Sequence, residues 1–106
     1  MFGMHKFKEV DVQFLANKDR DAIHLIDVRT EAEVARGAIG GAIHIPLHLL
    51  PLRAHEIPAD KPVVIYCNSG ARSAQACAFM AAKGHENMHN LSGGIIAWAR
   101  SGMPLI

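Results

Sequence analysis

Short apolar runs alternate along this chain with segments that carry helix-capping residues or are rich in alanine. The apolar runs are aliphatic and bounded by turn residues, so they predict β-strands at residues 6–10, 22–28, 42–45, 63–66 and 87–91. The segments between them predict helices at residues 12–17, 31–36, 47–55, 72–83 and 95–100. Strands that alternate with helices predict an α/β domain with a mostly parallel central sheet.

Capping residues support several of these helix boundaries. Asp11 precedes the first helix as a candidate N-cap, and Thr30 with Glu33 forms the T-x-x-E pattern of a capping box. Gly84 follows the alanine-rich helix and is expected to end it. Pro51 lies inside the segment 47–55, so that segment is predicted to form one or two helical turns interrupted by the proline.

Composition narrows the class of protein. The chain has 106 residues, half of them hydrophobic, which suits a single domain spanning residues 1–106. The net charge of +1 argues against a nucleic-acid partner, and no run approaches the roughly 20 apolar residues of a membrane helix. The first eleven residues contain no apolar run, which argues against a signal peptide, and the expected location is cytoplasmic.

The two cysteines and seven histidines do not predict a metal site or a disulfide. Cys67 and Cys77 are ten positions apart and form no CxxC pair, and no histidine pair has the spacing of a metal-binding helix. Cys77 lies in the middle of the alanine-rich helix, where a buried structural role is expected. No metal and no cofactor is predicted.

Cys67 differs because it is the first residue of a tight loop between a predicted strand and a predicted helix. The unpaired N–H groups of that loop can point at its sulfur if Gly70 adopts a positive φ. The helix dipole and Arg72 add positive potential, so the thiol pKa is expected to fall below its free value of about 8.5. Such a thiolate can attack a sulfane sulfur, hold it as a persulfide and pass it to a second nucleophile.

Three further residues allow two interpretations each. Asp27 and Arg29 lie at the end of a predicted strand and could orient the Cys67 loop or attract an anionic donor, or they could form a structural ion pair or cap, which is the favoured interpretation. Arg72 could contact the oxygens of an anionic donor such as thiosulfate, or face solvent while its backbone N–H acts. We favour the substrate contact because arginine pairs well with oxyanions.

Three segments in order resemble the rhodanese-like domain family. The first runs from LIDVR at 25–29 to GAIGGAIHIP at 37–46, and the second is VVIYCNSGARS at 63–73. The third is LSGGIIAW at 91–98 followed by GMP at 102–104. Two positions depart from the family pattern, because Ala38 replaces its usual histidine and Val34 its usual aromatic residue. Both positions are interpreted as structural.

The resemblance implies an α/β sandwich with a central five-stranded, mostly parallel sheet and helices on both faces. It also implies a thiosulfate sulfurtransferase-type enzyme that carries a persulfide on Cys67, moving sulfur from a small donor to cyanide or a thiol. The backbone amides of residues 68–72 would bind the transferred sulfur. The predicted substrate-binding residues are Asn68, Ser69, Gly70, Ala71, Arg72 and Ser73.

Three alternatives remain at this stage. The first is a sulfur carrier that a partner protein of a sulfur relay loads, with weak thiosulfate activity. The second is a module that only binds a partner, although the presence of Cys67 argues against it. The third is a phosphatase of the cell-cycle type, whose loop is C-x5-R. Only four residues separate Cys67 from Arg72, and the sequence near the loop offers no clear general acid.

Overall fold

A computed structural model describes residues 6–106. Its centre is a sheet of five strands, all parallel, in the order β1-β5-β4-β2-β3. The strands are β1 (Lys8–Val10), β2 (His24–Asp27), β3 (Ile43–His44), β4 (Val63–Tyr66) and β5 (Met88–Leu91). The predicted five-stranded α/β sheet is therefore confirmed, and its strands are parallel without exception.

Helices cover both faces of this sheet, as predicted. They are α1 (Val12–Ala16), α2 (Glu31–Ala35), α3 (Leu50–Arg53), α4 (Ala71–Ala82) and α5 (Gly94–Arg100). Side chains alternate along the central strand β4, so Ile65 packs with residues of α3 and α4 while Tyr66 packs with residues of α1 and α5. Every residue of β4 is buried, which explains why its sequence is continuously apolar.

The local predictions differ from the structure in two informative places. The strand predicted at residues 22–28 is shorter, because Arg20–Ala22 form a 3-10 turn whose N-cap is the Asp19 side chain. Pro51 does not interrupt a helix but lies in the first turn of α3. An N–H group there would have no acceptor within the helix, so the proline costs no hydrogen bond. Both the predicted Asp11 N-cap and the predicted Thr30–Glu33 capping box are present.

The topology brings polar residues to one edge of the sheet. Cys67 follows the carboxyl end of β4, the middle strand, and the ends of β2 and β5 lie on either side of it. In parallel sheets this edge is the usual location of ligand sites. Within residues 6–106, no helix is long and apolar enough to cross a membrane.

Candidate active site

The sulfur of Cys67 is held inside its own loop. The residue is 1% exposed, the backbone N–H of Gly70 donates to Sγ over 3.1 Å, and the Ser73 hydroxyl lies 3.4 Å from the same atom. The backbone N–H groups of Ser69 and Ser73 also contribute to a lower pKa of the Cys67 thiol. The loop therefore surrounds Cys67 with hydrogen-bond donors, an arrangement that favours a negatively charged sulfur.

The loop presents amides to the sulfur because its carbonyls are bonded elsewhere. The carbonyl of Cys67 accepts from the N–H of Ile95 over 2.9 Å, and that of Asn68 accepts from the N–H of Ile96 over 3.2 Å. Both donors are otherwise unpaired N–H groups of the first turn of α5. Gly70 has a φ of 110°, which a residue with a side chain rarely adopts, and this value closes the curl.

Gly94 allows α5 to approach the loop this closely. A Cβ atom at this position would overlap the backbone carbonyl oxygens of Asn68 and Cys67. Its φ of 58° is also in the left-handed region. Because the obstructing atoms belong to the backbone, no side-chain rotation could relieve the overlap. The glycine pair before α5 is therefore part of the architecture of the Cys67 loop.

Glu33 ties helix α2 to both ends of the loop. Its carboxylate accepts from Asn68 Nδ2 over 2.8 Å and from Arg72 Nη1 and Nη2 over 2.8 and 2.9 Å. It also accepts from the N–H and the hydroxyl of Thr30. The bond from the Thr30 N–H, together with the Glu33 N–H donating to the Thr30 hydroxyl oxygen, makes the capping box. The bond to Arg72 is the largest of the contacts that lower the pKa of Glu33 from 4.5 to about 2.

A second polar chain leaves the loop on the side of β5. The Ser73 hydroxyl donates to Oδ1 of Asn90, a buried residue of β5. The Asn90 amide nitrogen donates to the Gly70 carbonyl over 3.1 Å and to both carboxylate oxygens of Glu9 on β1. Two strands, β5 and β1, therefore contribute to the position of the Ser73 hydroxyl of α4 next to the sulfur.

The two cysteines have opposite electrostatic environments. Burial raises the pKa of the Cys67 thiol, but the Ser73 hydroxyl and the amides of Ser73, Gly70 and Ser69 outweigh it and lower the pKa overall. Burial, with a smaller effect of Glu9, raises the pKa of Cys77 to about 12. Both cysteines are free thiols. Of the two cysteines, only Cys67 is therefore in an environment that favours the thiolate over the thiol.

Asp27 and Arg29 form a buried ion pair beside the loop. Arg29 donates to Asp27 from its backbone N–H, Nε and Nη2, the last over 2.7 Å, and it also donates to the Gly37 carbonyl. A weaker bond of 3.4 Å reaches the carbonyl of Glu33. The pair thus holds the backbone of α2 at Glu33 and just after its end at Gly37. The negative charge of Asp27 also acts on Arg72 of the loop.

The structure distributes the predicted loop residues among different tasks. Gly70 and Ser73 face the sulfur, whereas the side chains of Asn68 and Arg72 bind Glu33. Ser69 and Ala71 are exposed on the rim. No group of three or more potential metal-binding His, Cys, Asp or Glu side chains occurs in the described part of the chain.

Three residues that contact the loop were absent from the predicted site: Glu33, Asn90 and Gly94. Their signals in the sequence were weak. Glu33 was already explained by the capping box, and Gly94 by the start of a helix. The remaining signal was Asn90, a polar residue in a segment predicted as a buried strand.

Comparison with known proteins agrees with this architecture. The family model of the rhodanese-like domain matches residues 11–101. The chain belongs to the rhodanese-like domain family. A protein of Allochromatium vinosum named sulfurtransferase is 50% identical over 100 residues, which cover 92% of this chain and 94% of the relative. The resemblance predicted from the sequence motifs is confirmed.

Two further relatives extend the comparison of this rhodanese-like domain. The putative sulfurtransferase YtwF of Bacillus subtilis is 35% identical over 95 residues, covering 88% of this chain and 91% of the relative. The crystal structure of a rhodanese-related protein from Thermoplasma volcanium superposes with a TM-score of 0.86 at 29% identity. That match covers 93% of this chain and 97% of the other. The chain is therefore a rhodanese domain of the sulfurtransferase type.

Proposed function

We propose that this rhodanese-like domain transfers sulfane sulfur through a persulfide on Cys67. The observation that carries the proposal is the ring of donors around Sγ, in which the Gly70 N–H lies 3.1 Å away and the loop carbonyls are bonded to α5. A persulfide carries its negative charge on the outer sulfur, which the same ring of N–H groups would stabilise. The Asn68–Ser73 residues are proposed to bind the transferred sulfur.

The proposed reaction has two half-reactions. The Cys67 thiolate attacks the outer sulfur of a donor such as thiosulfate, the S–S bond of the donor breaks, and sulfite leaves with the bonding electron pair. An acceptor, cyanide or a thiolate, then attacks the outer sulfur of the persulfide. The Cys67 thiolate leaves with its electron pair and is ready for the next cycle.

A cleft beside the loop has a size that suits a small substrate. Its volume is about 270 Å³, and Val28, Pro46, Leu47 and Arg72 contribute to its wall. Arg72 uses both terminal nitrogens on Glu33, but it remains 35% exposed at the rim. Contact between this guanidinium and an anionic donor stays a prediction. In such a contact, the donor and the Glu33 carboxylate would bind Arg72 together.

Two alternatives differ from this proposal in ways that experiments separate. A phosphatase needs its arginine on the phosphate, whereas Arg72 here is in a bidentate ion pair with Glu33. A carrier loaded by a partner protein would use the same Cys67 but would gain sulfur from thiosulfate only weakly. We also propose that the chain forms a single domain and acts in the cytoplasm, and both remain predictions.

The deciding experiment is the intact mass of the protein after incubation with thiosulfate. We expect a gain of one sulfur, about 32 Da, that cyanide removes and that is absent in Cys67→Ser. Cys77→Ser is the matched control, because Cys77 is buried in α4 and should leave the adduct intact. An adduct of equal size on Cys67→Ser would contradict the assignment. Absence of any adduct on the native protein would favour the carrier.

A further inference from the structure

The orientation of the Asn90 side chain is fixed by its neighbours. Asn90 is 3% exposed, and one end of its amide faces the Gly70 carbonyl at 3.1 Å and the two Glu9 carboxylate oxygens at 3.2 and 3.1 Å. Carbonyl and carboxylate oxygens only accept hydrogen bonds, so this end of the amide must be the nitrogen. The oxygen, Oδ1, therefore faces the Ser73 hydroxyl.

This orientation determines where the Ser73 proton points. Oδ1 of Asn90 only accepts, and it lies 2.5 Å from the Ser73 oxygen, whereas the Cys67 sulfur lies 3.4 Å away. The hydroxyl has a single proton, so that proton is directed at Asn90. The Ser73 oxygen then turns its lone pairs towards the sulfur. In this orientation the hydroxyl gives the sulfur no hydrogen bond, which a neutral sulfur tolerates, and it lowers the pKa of Cys67 only when it rotates to donate to the thiolate.

We propose that Asn90 is a positioning residue that holds the Ser73 hydroxyl proton away from Cys67 while the sulfur is neutral. When negative charge develops on Sγ, the hydroxyl rotates and donates to the sulfur. The change exchanges one hydrogen bond for another by rotation about the Ser73 C–O bond. No covalent bond changes, and the proton stays on the serine.

The bond between Asn90 and Ser73 makes the surroundings of Sγ differ between the two half-reactions, and this part of the inference rests on the proposed function. In the loaded state Sγ is neutral, and the hydroxyl is bonded to Asn90. When an acceptor attacks the outer sulfur, the electron pair of the S–S bond moves to Sγ, and the hydroxyl follows it. Because the thiolate must compete with Asn90 for this donor, Asn90 favours the loaded state over the free thiolate.

The variant Asn90→Leu tests this role, since leucine has a similar shape and no acceptor. We expect the pKa of Cys67 to fall, with about tenfold more thiolate at a pH below the midpoint, because the Ser73 hydroxyl has no competing partner. The readout is the pH profile of iodoacetamide alkylation, with the labelled peptide identified by mass. A purely structural role predicts the opposite sign, because a loosened loop stabilises the thiolate less.

Two controls separate the serine from other effects. In a Ser73→Ala background, Asn90→Leu should no longer lower the midpoint, because no hydroxyl remains to be released. Asn90→Asp keeps an acceptor towards Ser73 and adds negative charge, so its midpoint should rise. Asn90→Ala replaces the leucine variant if circular dichroism shows that the latter does not fold. An alkylation midpoint that is unchanged or higher in Asn90→Leu or Asn90→Ala overturns the proposal. So does a lower midpoint that persists when Asn90→Leu is combined with Ser73→Ala.

Although Glu9 loses its two bonds from Asn90 and keeps the one from Ser92, the leucine and alanine variants remove none of the charged groups around the loop. These groups are Arg72 from α4, Glu33 from α2, the Asp27–Arg29 pair after β2 and Glu9 from β1. Alkylation requires no sulfur donor, so its result does not depend on sulfur transfer. Failure of thiosulfate loading with the expected alkylation profile would therefore reject the proposed function and leave the role of Asn90 intact.

Discussion

Replacing Glu33 by glutamine removes the charge that joins α2 to the Cys67 loop while keeping most of the shape. Glutamine still serves a capping box, but it offers one acceptor oxygen where Asn68 and Arg72 now bind two. A pKa lowered from 4.5 to about 2 corresponds to about 3 kcal/mol of folding free energy at neutral pH. The side chain is 20% exposed, so solvent screening reduces the expected loss to about 1–2 kcal/mol.

The pH dependence of that loss distinguishes charge from packing. The folded-state pKa of Glu33 lies below its ordinary value, so its stabilisation is complete above about pH 4.5 and disappears as the pH falls towards 2. We therefore expect Glu33→Gln to lower the melting temperature by about 4–10 °C at pH 7. The difference should be roughly halved at pH 3 and vanish only as the pH falls to about 2 or below. Thermal unfolding followed by circular dichroism at pH 3, 5 and 7 measures this difference.

A matched surface pair provides the control. Arg53 also binds Glu56 through two hydrogen bonds, over 3.0 and 2.9 Å, but this pair is on the surface, and the further bond of Arg53 goes to the His44 carbonyl and not to the Cys67 loop. Glu56→Gln should change the melting temperature far less, because exposed ion pairs contribute little. If Glu33→Gln destabilises equally at pH 7 and pH 3, the charge on Glu33 is not the cause and our reasoning is wrong.

Two further predictions follow from the geometry of the loop. Gly94→Ala should destabilise the protein by more than about 2 kcal/mol and slow sulfur loading, because the added Cβ overlaps carbonyls of the loop. Gly102→Ala is the control, because Gly102 also has a positive φ but open space around its Cβ, so its loss of stability measures the backbone strain alone. Equal losses in urea unfolding would remove the argument from overlap. Iodoacetamide at pH 8 should label Cys67 and spare Cys77, whose pKa is raised to about 12, until urea unfolds the chain. Labelling of Cys77 in the native protein would contradict its burial.

Much of the fold follows from short-range signals. Strand β4 coincides with its predicted residues 63–66 because an uninterrupted apolar run ends at a turn, and the predicted cap of α1 is made by Asp11. These features depend on neighbours within a few positions. The 3-10 turn at Arg20–Ala22 was missed because alanine and isoleucine extended the apolar run beyond the strand.

The contacts that shape the loop were harder to predict because they join distant parts of the chain. Glu33 and Arg72 are 39 positions apart, and Asn90 reaches Ser73 across 17 positions and Glu9 across 81. The capping-box pattern already explained the presence of Glu33, so the sequence did not point to its bonds with the Cys67 loop. The position of Cys67 was predictable from the strand and the glycine beside it, whereas the partners of its loop depend on the order of strands in the sheet.

The bonds from α5 to the carbonyls of Cys67 and Asn68 have a consequence for protein synthesis. A ribosome makes the Cys67 loop before it makes β5 and α5, so these carbonyls have no partners in the nascent chain. Until α5 docks, the bonds to these two carbonyls do not hold the loop amides towards the sulfur, and we expect the pKa of Cys67 to be closer to that of an ordinary thiol. Sulfur reactivity would then increase as the last helix folds, which shields the unfinished chain from premature oxidation.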